Sequence, residues 1–483
     1  LETYELTADT HRQGKPVKQV KQVRQLEVLN PYDTSVVGRV PVAGEAEFER
    51  AAEAAVAGAA RMARLPAHER AAILMRVSAA ILAGREEIAR TLAGEAGKPL
   101  KDARIETDRA AMTFQVAAEE ARRLGGDVLP MDLAPHGEGR LAIVRRVPIG
   151  PIAAISPFNF PLNLSAHKLA PAIAAGNSIV LKPATKTPLS AITLGRLLHE
   201  AGAPEGAVSV LAMSREVGDK LVTDPRFKLL TFTGSSPVGW AMKARAGRKK
   251  VILELGGNAG VIVNDDADVA FAARRVAAGG FAYAGQSCIS VQRVYVHDRV
   301  FDAFAAALVA LVEKLKVGDP LDEATDIGPM IEEGEAARID AWVSEAVAAG
   351  ARVLTGGRRL GGAMYAPTVV TDVPSDAKLC AEEVFAPLVG LWRFSALDQA
   401  IADVNRSRFG LQAGIFTRDL AGALDAYDAL EVGGVIVNDV PTWRIDHMPY
   451  GGVKESGLGR EGPRYTIEEM TEPKLLVINR VTS

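Results

Sequence analysis

Apolar residues recur every three to four positions among charges across Glu45 to Ala63 and His68 to Leu82, the period of an amphipathic helix. Helical patterning of this kind runs from Ala43 to about Arg122 and predicts a helical layer. Past Gly125-Gly126 the pattern changes. Arg140 to Arg146 alternates and stops at Pro148, which predicts a hairpin arm able to pair subunits. Between Gly150 and Gly257 five short apolar runs predict strands, at Ile152 to Ile155, Ser178 to Leu181, Val208 to Leu211, Leu229 to Phe232 and Val251 to Leu255, with helices between them. Strands that are apolar on both faces belong in a parallel sheet covered by helices, so a doubly wound α/β unit is expected. A second α/β series begins near Gly257. Its strands are predicted at Val261 to Val263, Arg293 to His297, Arg352 to Leu354, Leu388 to Trp392, Gly414 to Phe416 and Gly434 to Asn438, and its helices include Val300 to Leu315 and Glu335 to Ala349. Lys474 to Arg480 again alternates like a strand.

The 483 residues exceed the roughly 250–300 at which one hydrophobic core stops growing, so two large domains are expected. With 56 basic and 59 acidic residues the net charge of −3 is too balanced to imply nucleic acid or an anionic membrane as partner. No apolar run approaches the ~18–20 residues of a membrane span. Two cysteines cannot build a disulfide framework, which favours a reducing compartment such as the cytoplasm. The chain opens on Leu1, as a trimmed start would, and Arg12 to Arg24 reads as a polar basic lead-in rather than a signal peptide.

One of the two cysteines, Cys288 in Gly285-Gln286-Ser287-Cys288, follows the acidic turn Glu254-Leu255-Gly256-Gly257 by 34 positions. A thiolate is a nucleophile, and a carboxylate can activate the water that releases whatever the sulfur captures. Phe232-Thr233-Gly234-Ser235-Ser236-Pro237-Val238-Gly239 links a strand to a helix, where free N–H groups favour a phosphate. It lacks G-x-G-x-x-G, and Trp240 stands where a P-loop requires lysine. Lys182-Pro183-Ala184-Thr185 sets an ammonium and a hydroxyl at another strand end, within reach of a ribose. Asn159, between Pro157 and Pro161, offers an amide to a developing oxyanion. Each feature also has a plainer reading: a packed cysteine, an unliganded turn, a capped helix start, a turn asparagine. None of the seven histidines shows metal-ligand spacing, so no metal is expected.

Taken together, Pro157-Phe158-Asn159-Phe160-Pro161, Lys182-Pro183, Phe232 to Gly239, Glu254 to Gly257 and Gly285 to Cys288 resemble the aldehyde dehydrogenase superfamily in order and spacing, over roughly Asn30 to Ile478. Glu382-Glu383-Val384-Phe385-Ala386-Pro387 is similar to a sixth motif of that family, with Ala386 in place of glycine. The resemblance implies a Rossmann-like cofactor domain (1–122 and 147–255), an α/β catalytic domain (256–437), and an oligomerisation arm with a C-terminal strand (123–146 and 463–483). Residues 438–462 would return to the cofactor domain and the substrate mouth. It implies Cys288 as nucleophile, Asn159 and the Cys288 N–H as oxyanion donors, and Glu254 as the base for hydrolysis to a free acid. Ser156, Pro157, Phe158, Lys182, Thr185, Gly234, Ser235, Gly239, Leu255, Gly256, Glu383 and Phe385 would hold NAD or NADP.

Many NAD-specific relatives carry glutamate where this chain has Thr185, and without that carboxylate the 2′-phosphate of NADP is admissible. Trp443 to Gly457 resembles a subgroup of lactaldehyde and non-phosphorylating glyceraldehyde-3-phosphate dehydrogenases. Arg109, Arg444, Ser287 and His447 would then face a short hydroxylated or anionic aldehyde such as lactaldehyde, glyceraldehyde 3-phosphate or a semialdehyde; the plainer reading of both arginines is surface or interdomain ion pairs. Phosphate-binding relatives often have arginine at the Ser287 position, a departure that weighs against phosphate. A homodimer or homotetramer is implied. The alternatives are a cofactor-free thiol esterase and a non-catalytic member of the fold. His167 and Cys380 are expected to be packing residues, His167 on a helix and Cys380 beneath the Glu382-Glu383 loop.

Overall fold

The computed structural model describes residues 24–480. Most of the polar lead-in expected over Arg12 to Arg24 lies outside this range. Four helices, Glu45–Met62, Ala67–Ala83, Arg85–Ala96 and Leu100–Arg123, form the expected helical layer. A hairpin not anticipated from sequence, Gln25–Leu29 paired antiparallel with Val36–Pro41, precedes them.

The first large sheet has six strands, in the order Gly457–Leu458, Lys250–Glu254, Leu229–Thr233, Ile152–Ile155, Ile179–Lys182 and Val208–Val210. The last five pair in parallel, while Gly457–Leu458 adds an antiparallel edge. Ile152–Ile155 is first in the chain yet central in the sheet, with the later strands added on both sides. The order therefore reverses between Ile152–Ile155 and Leu229–Thr233, and the carboxyl ends there open a crevice suited to a ligand. Apolar clusters cover both faces, one around Leu169, Ile173 and Leu181 and the other around Phe48, Phe227 and Leu230. This two-sided burial is why the strands read as continuous apolar runs.

A second sheet orders seven strands as Arg352–Thr355, Thr368–Thr371, Leu388–Phe394, Val291–His297, Ala259–Val263, Gln412–Phe416 and Gly434–Val437. All its pairs are parallel except the edge strand Arg352–Thr355, which runs antiparallel to Thr368–Thr371. Thr471–Asn479, Arg140–Pro148 and Gly126–Leu129 form a separate antiparallel sheet. Leu475, Leu476, Val477 and Ile478 are exposed on it. Among the described residues no helix is long and apolar enough to cross a membrane.

Candidate active site

The loop that delivers Cys288 is bent by three successive left-handed residues, Tyr283 (φ 49°), Ala284 (φ 54°) and Gly285 (φ 68°). For tyrosine and alanine that conformation costs about 1–2 kcal/mol each, so the surroundings must hold it. The Tyr283 hydroxyl donates to the Ala96 carbonyl at 2.8 Å, and the Gln286 side chain accepts from the Ile331 N–H at 2.8 Å. Lys98 lies 3.6 Å above the Phe160 ring and 4.4 Å above the Tyr283 ring, so one buried cation joins the loop of Asn159 to the loop of Cys288.

At the end of that loop Cys288 is half-buried, and its Sγ lies 2.8 Å from the Tyr450 hydroxyl. Burial pushes the thiol up to about 12. The Asn159 Nδ2 donates one hydrogen to the Gln286 carbonyl at 3.0 Å, which orients the amide and leaves its second hydrogen unused. The Cys288 backbone N–H has no acceptor among the described residues. Two N–H donors thus remain uncommitted on the loop of Cys288 and on the side chain that bonds it, the type of group an oxyanion requires. Gly257 is glycine because a Cβ there would run into the Cys288 carbonyl oxygen.

Glu254 ends its strand almost wholly buried, and neither carboxylate oxygen has a hydrogen-bond partner among the described residues. Burial, reinforced by the nearby Glu461 charge, raises it well above the ordinary carboxylate range. A side chain on Gly451 would start 2.8 Å from Glu254 Oε1, so glycine there preserves the space around the carboxylate. Glu461 behaves oppositely. Its burial is outweighed by Lys168, His167 and Arg444, which hold it ionised. Lys168 Nζ is 3.5 Å from Glu461 and donates to the Thr231 and Thr233 hydroxyls at 3.1 and 2.7 Å. Neighbouring carboxyls with divergent environments are the arrangement that keeps one free for acid–base work.

Of the two sequence-predicted arginines, Arg109 is bidentate to Asp446 at 3.0 and 2.9 Å. The Arg444 side chain is only 5% exposed, stacks 3.6 Å over the Tyr450 ring and sits 3.6 Å from Glu461, and its Nε is a buried donor with no partner among the described residues. His167 links the two. It is buried on its helix as expected, and its Nε2 is satisfied 2.9 Å from Asp446 and 3.4 Å from Arg444. Asp446 is buried, but hydrogen bonding to His167 and the Arg109 charge hold it far below its usual range. Ser287 precedes the nucleophile half-buried, whereas His447 is exposed. Cys380 is half-buried, and its carbonyl accepts from the Asn258 side chain at 2.8 Å.

The other predicted positions line the crevice of the first sheet. The helix Ser236–Arg245 starts after Ser235 with no side-chain cap, so its first N–H groups remain available to an anion. Lys182 Nζ donates only to the adjacent Pro183 carbonyl at 3.1 Å, and its stem lies across Gly218, where a Cβ would meet Cδ at 2.6 Å. Thr185 is exposed three residues on, and the Ser156 hydroxyl accepts from Ser165 at 3.0 Å. Glu383, raised by burial to about 7, accepts the Gly257 N–H at 2.9 Å. Phe385 meets Phe158 edge to face at 5.9 Å. An uncapped helix start, a cation without an acid partner among the described residues, and a carboxyl near the nucleophile's loop suit a dinucleotide. Among the described residues no cluster of three metal-ligating side chains occurs. Asp446 and Tyr450 lie in the Trp443 to Gly457 run that carries the subgroup resemblance, which assigns them no role of their own, and Lys168 and Glu461 are not singled out by sequence at all.

The profile of the Aldehyde dehydrogenase family matches residues 18–476. A 3-sulfolactaldehyde dehydrogenase of Priestia aryabhattai is 47% identical over 456 residues, covering 94% of this chain and 95% of that protein. The crystal structure of aldehyde dehydrogenase 21 from Physcomitrella patens, in complex with the reaction product succinate, superposes with a TM-score of 0.93 at 50% identity, covering 97% of each chain. Glyceraldehyde-3-phosphate dehydrogenase GapN of Methanocaldococcus jannaschii, complexed with NADP, superposes with a TM-score of 0.91 at 40% identity, covering 95% of this chain and 100% of that one.

Proposed function

The chain belongs to the aldehyde dehydrogenase family and is an NAD(P)-dependent enzyme, and on that premise we propose that its substrate is a short aldehyde bearing an anionic group. The observation that carries this reading is Arg444, a buried guanidinium with an unused donor, one ring's thickness from the tyrosine that touches the nucleophile. Glu461 already supplies a counter-charge 3.6 Å away, but a buried donor left without a hydrogen-bond acceptor is costly until a ligand oxygen completes it. Arg109 adds positive charge nearby, although two of its nitrogens are committed to Asp446. Three of the relatives fit the same class, since sulfolactaldehyde carries a sulfonate and a hydroxyl, succinate carboxylates and glyceraldehyde 3-phosphate a phosphate. Others are lactaldehyde dehydrogenases, whose substrate is neutral. Ser287, in place of an arginine, favours the smaller charge of a sulfonate or carboxylate over phosphate.

In this reading the Cys288 sulfur attacks the aldehyde carbon, and the displaced electron pair on oxygen is held by the Cys288 N–H and the free hydrogen of Asn159 Nδ2. A bound nicotinamide dinucleotide supplies the hydride acceptor. Lys182 and the start of the helix Ser236–Arg245 would hold its ribose and phosphates, and Glu383 and Phe385 would orient its reactive end. Glu254, as the carboxylate, then takes a proton from the water that attacks the thioester, releasing the acid and the sulfur. Thr185 leaves room for a 2′-phosphate, so NADP use at least equal to NAD is part of the proposal. The exposed apolar strand Thr471–Asn479 supports a homodimer or homotetramer, which light scattering on the purified protein would size.

Arg444→Ala tests the substrate class. It should raise KM for succinate semialdehyde or sulfolactaldehyde at least about tenfold, the equivalent of one charge-assisted contact, while KM for propanal changes little. Equal effects on charged and neutral aldehydes would remove the anion from the proposal.

A further inference from the structure

The scheme above leaves one polar atom beside the nucleophile without a task, the hydroxyl of Tyr450. We propose that Tyr450 is a further catalytic residue: its hydroxyl donates a hydrogen bond to the Cys288 sulfur and stabilises the attacking thiolate, and the Arg444 guanidinium over its ring strengthens that donor. The proposal rests on the reading of Cys288 as the nucleophile.

The geometry is specific. Tyr450 is buried beside Ile289 and Leu411, and its hydroxyl lies 2.8 Å from Sγ, with no other partner among the described residues. Packing alone asks only for a ring, since phenylalanine would fill the same apolar space, and a buried phenol oxygen requires a hydrogen-bond partner. Its position is held by two backbone hydrogen bonds with Glu461, the Tyr450 N–H donating at 3.0 Å and the Glu461 N–H at 2.6 Å. Burial raises the phenol well above its ordinary range, so Tyr450 keeps its proton and acts as donor.

The sulfur needs this help. Burial disfavours its charge, and the facing carboxyls Glu383 and Glu254 oppose it too. Two groups act in the other direction, the Tyr450 hydroxyl and the Arg444 cation. Arg444 acts twice, by its field at the sulfur and by lying 3.6 Å over the face of the ring, where it withdraws electron density from the phenol. During attack the thiolate lone pair forms the C–S bond and the carbonyl π pair moves to oxygen. Tyr450 loses no proton in this step. The gain is in thiolate population. A thiol shifted down one unit has about tenfold more thiolate and about threefold lower intrinsic nucleophilicity, a net advantage of about threefold.

The test is the pH dependence of iodoacetamide alkylation at residue 288, followed by mass spectrometry from neutral to strongly alkaline pH. In Tyr450→Phe the midpoint should rise by about one to two units, with kcat/KM lowered about threefold or more and the thermal melt unchanged. Replacing Tyr450 with 3-fluorotyrosine, a stronger donor of nearly the same shape, should move the midpoint down, which provides the test should the phenylalanine variant misfold. Arg444→Gln should move it up, by less than Tyr450→Phe. An unchanged midpoint in Tyr450→Phe or with fluorotyrosine overturns the proposal. If complete alkylation of Cys288 leaves NAD(P)H production intact, the nucleophile assignment itself fails, and that result is read independently of any Tyr450 variant.

Discussion

Two groups of buried charge flank the nucleophile and use their lone pairs differently. Under the catalytic loop, Lys98 pairs with Glu106, and the other oxygen of Glu106 accepts the Leu162 and Asn163 N–H groups at 3.0 and 3.1 Å. Lys98 itself is enclosed by two aromatic rings. That group is closed. Across the nucleophile, the carboxyl oxygens of Glu254 and Glu461 have no hydrogen-bond partner among the described residues, and Arg444 keeps a free donor. A buried polar group left unpaired costs about 1–3 kcal/mol, so the open group is stability given up for reactivity. The closed group holds two loops in register, and the open one is, on the proposed mechanism, left free for water and substrate.

The largest expected effect removes the base from the open group. Glu254→Gln should still release a first equivalent of NAD(P)H and then turn over about 10²–10⁴-fold more slowly, seen in stopped-flow as a burst followed by a stall. Its folding stability near neutral pH should be unchanged or higher. A carboxyl whose folded pKa is raised weakens the fold increasingly as pH climbs above its unfolded value, and glutamine removes that term.

The closed group should respond in the reverse sense. Lys98→Met strands Glu106 in the core and should cost roughly 3–5 kcal/mol in urea unfolding. Equal destabilisation by the two variants would erase the distinction between the groups.

A third prediction separates the carboxyls within the open group. With Glu254 as the proposed base, turnover should fall as pH drops through a value above the usual carboxylate range. Glu461→Gln removes the neighbouring charge and should shift that acid limb down by about one unit in a kcat–pH profile. The smallest effect lies away from the nucleophile. Thr185→Glu restores a carboxylate facing the ribose and should lower kcat/KM with NADP about tenfold relative to NAD.

The helical layer, most strands of both sheets and the arm were legible because each reflects a local period: 3.6 in the helices, two-sided apolar runs in the covered strands, alternation in Arg140–Pro148. The buried strand Thr368–Thr371 and the edge strand Gly457–Leu458 are short and were not anticipated. Boundaries moved by one to three residues, as where the predicted Ser178 to Leu181 became Ile179–Lys182 and Val300 to Leu315 became Phe301–Val312. The short hairpin Gln25–Leu29 with Val36–Pro41 escaped, since its strands are largely exposed and carry no strong period. Glu254, Asn159 and Cys288 could be singled out as candidates because backbone motifs mark them. Tyr450, Glu461 and Lys168 were not, because the contacts of Tyr450 with Cys288, of Glu461 with Lys168 and of Lys168 with Thr231 and Thr233 span 63 to 293 positions of the chain.

The sequence by itself therefore determined which elements form and which residue types stand at strand ends, since period and turn chemistry act over a few neighbouring positions. Only the tertiary structure decided how those residues behave as acids, bases and charges. Proton affinity depends on burial and on the sign of what lies within a few ångströms. Lys98 beside Glu106 and Glu254 beside Glu461 are unremarkable along the chain, and become a satisfied pair and an open one only when strands and loops from distant positions enclose them.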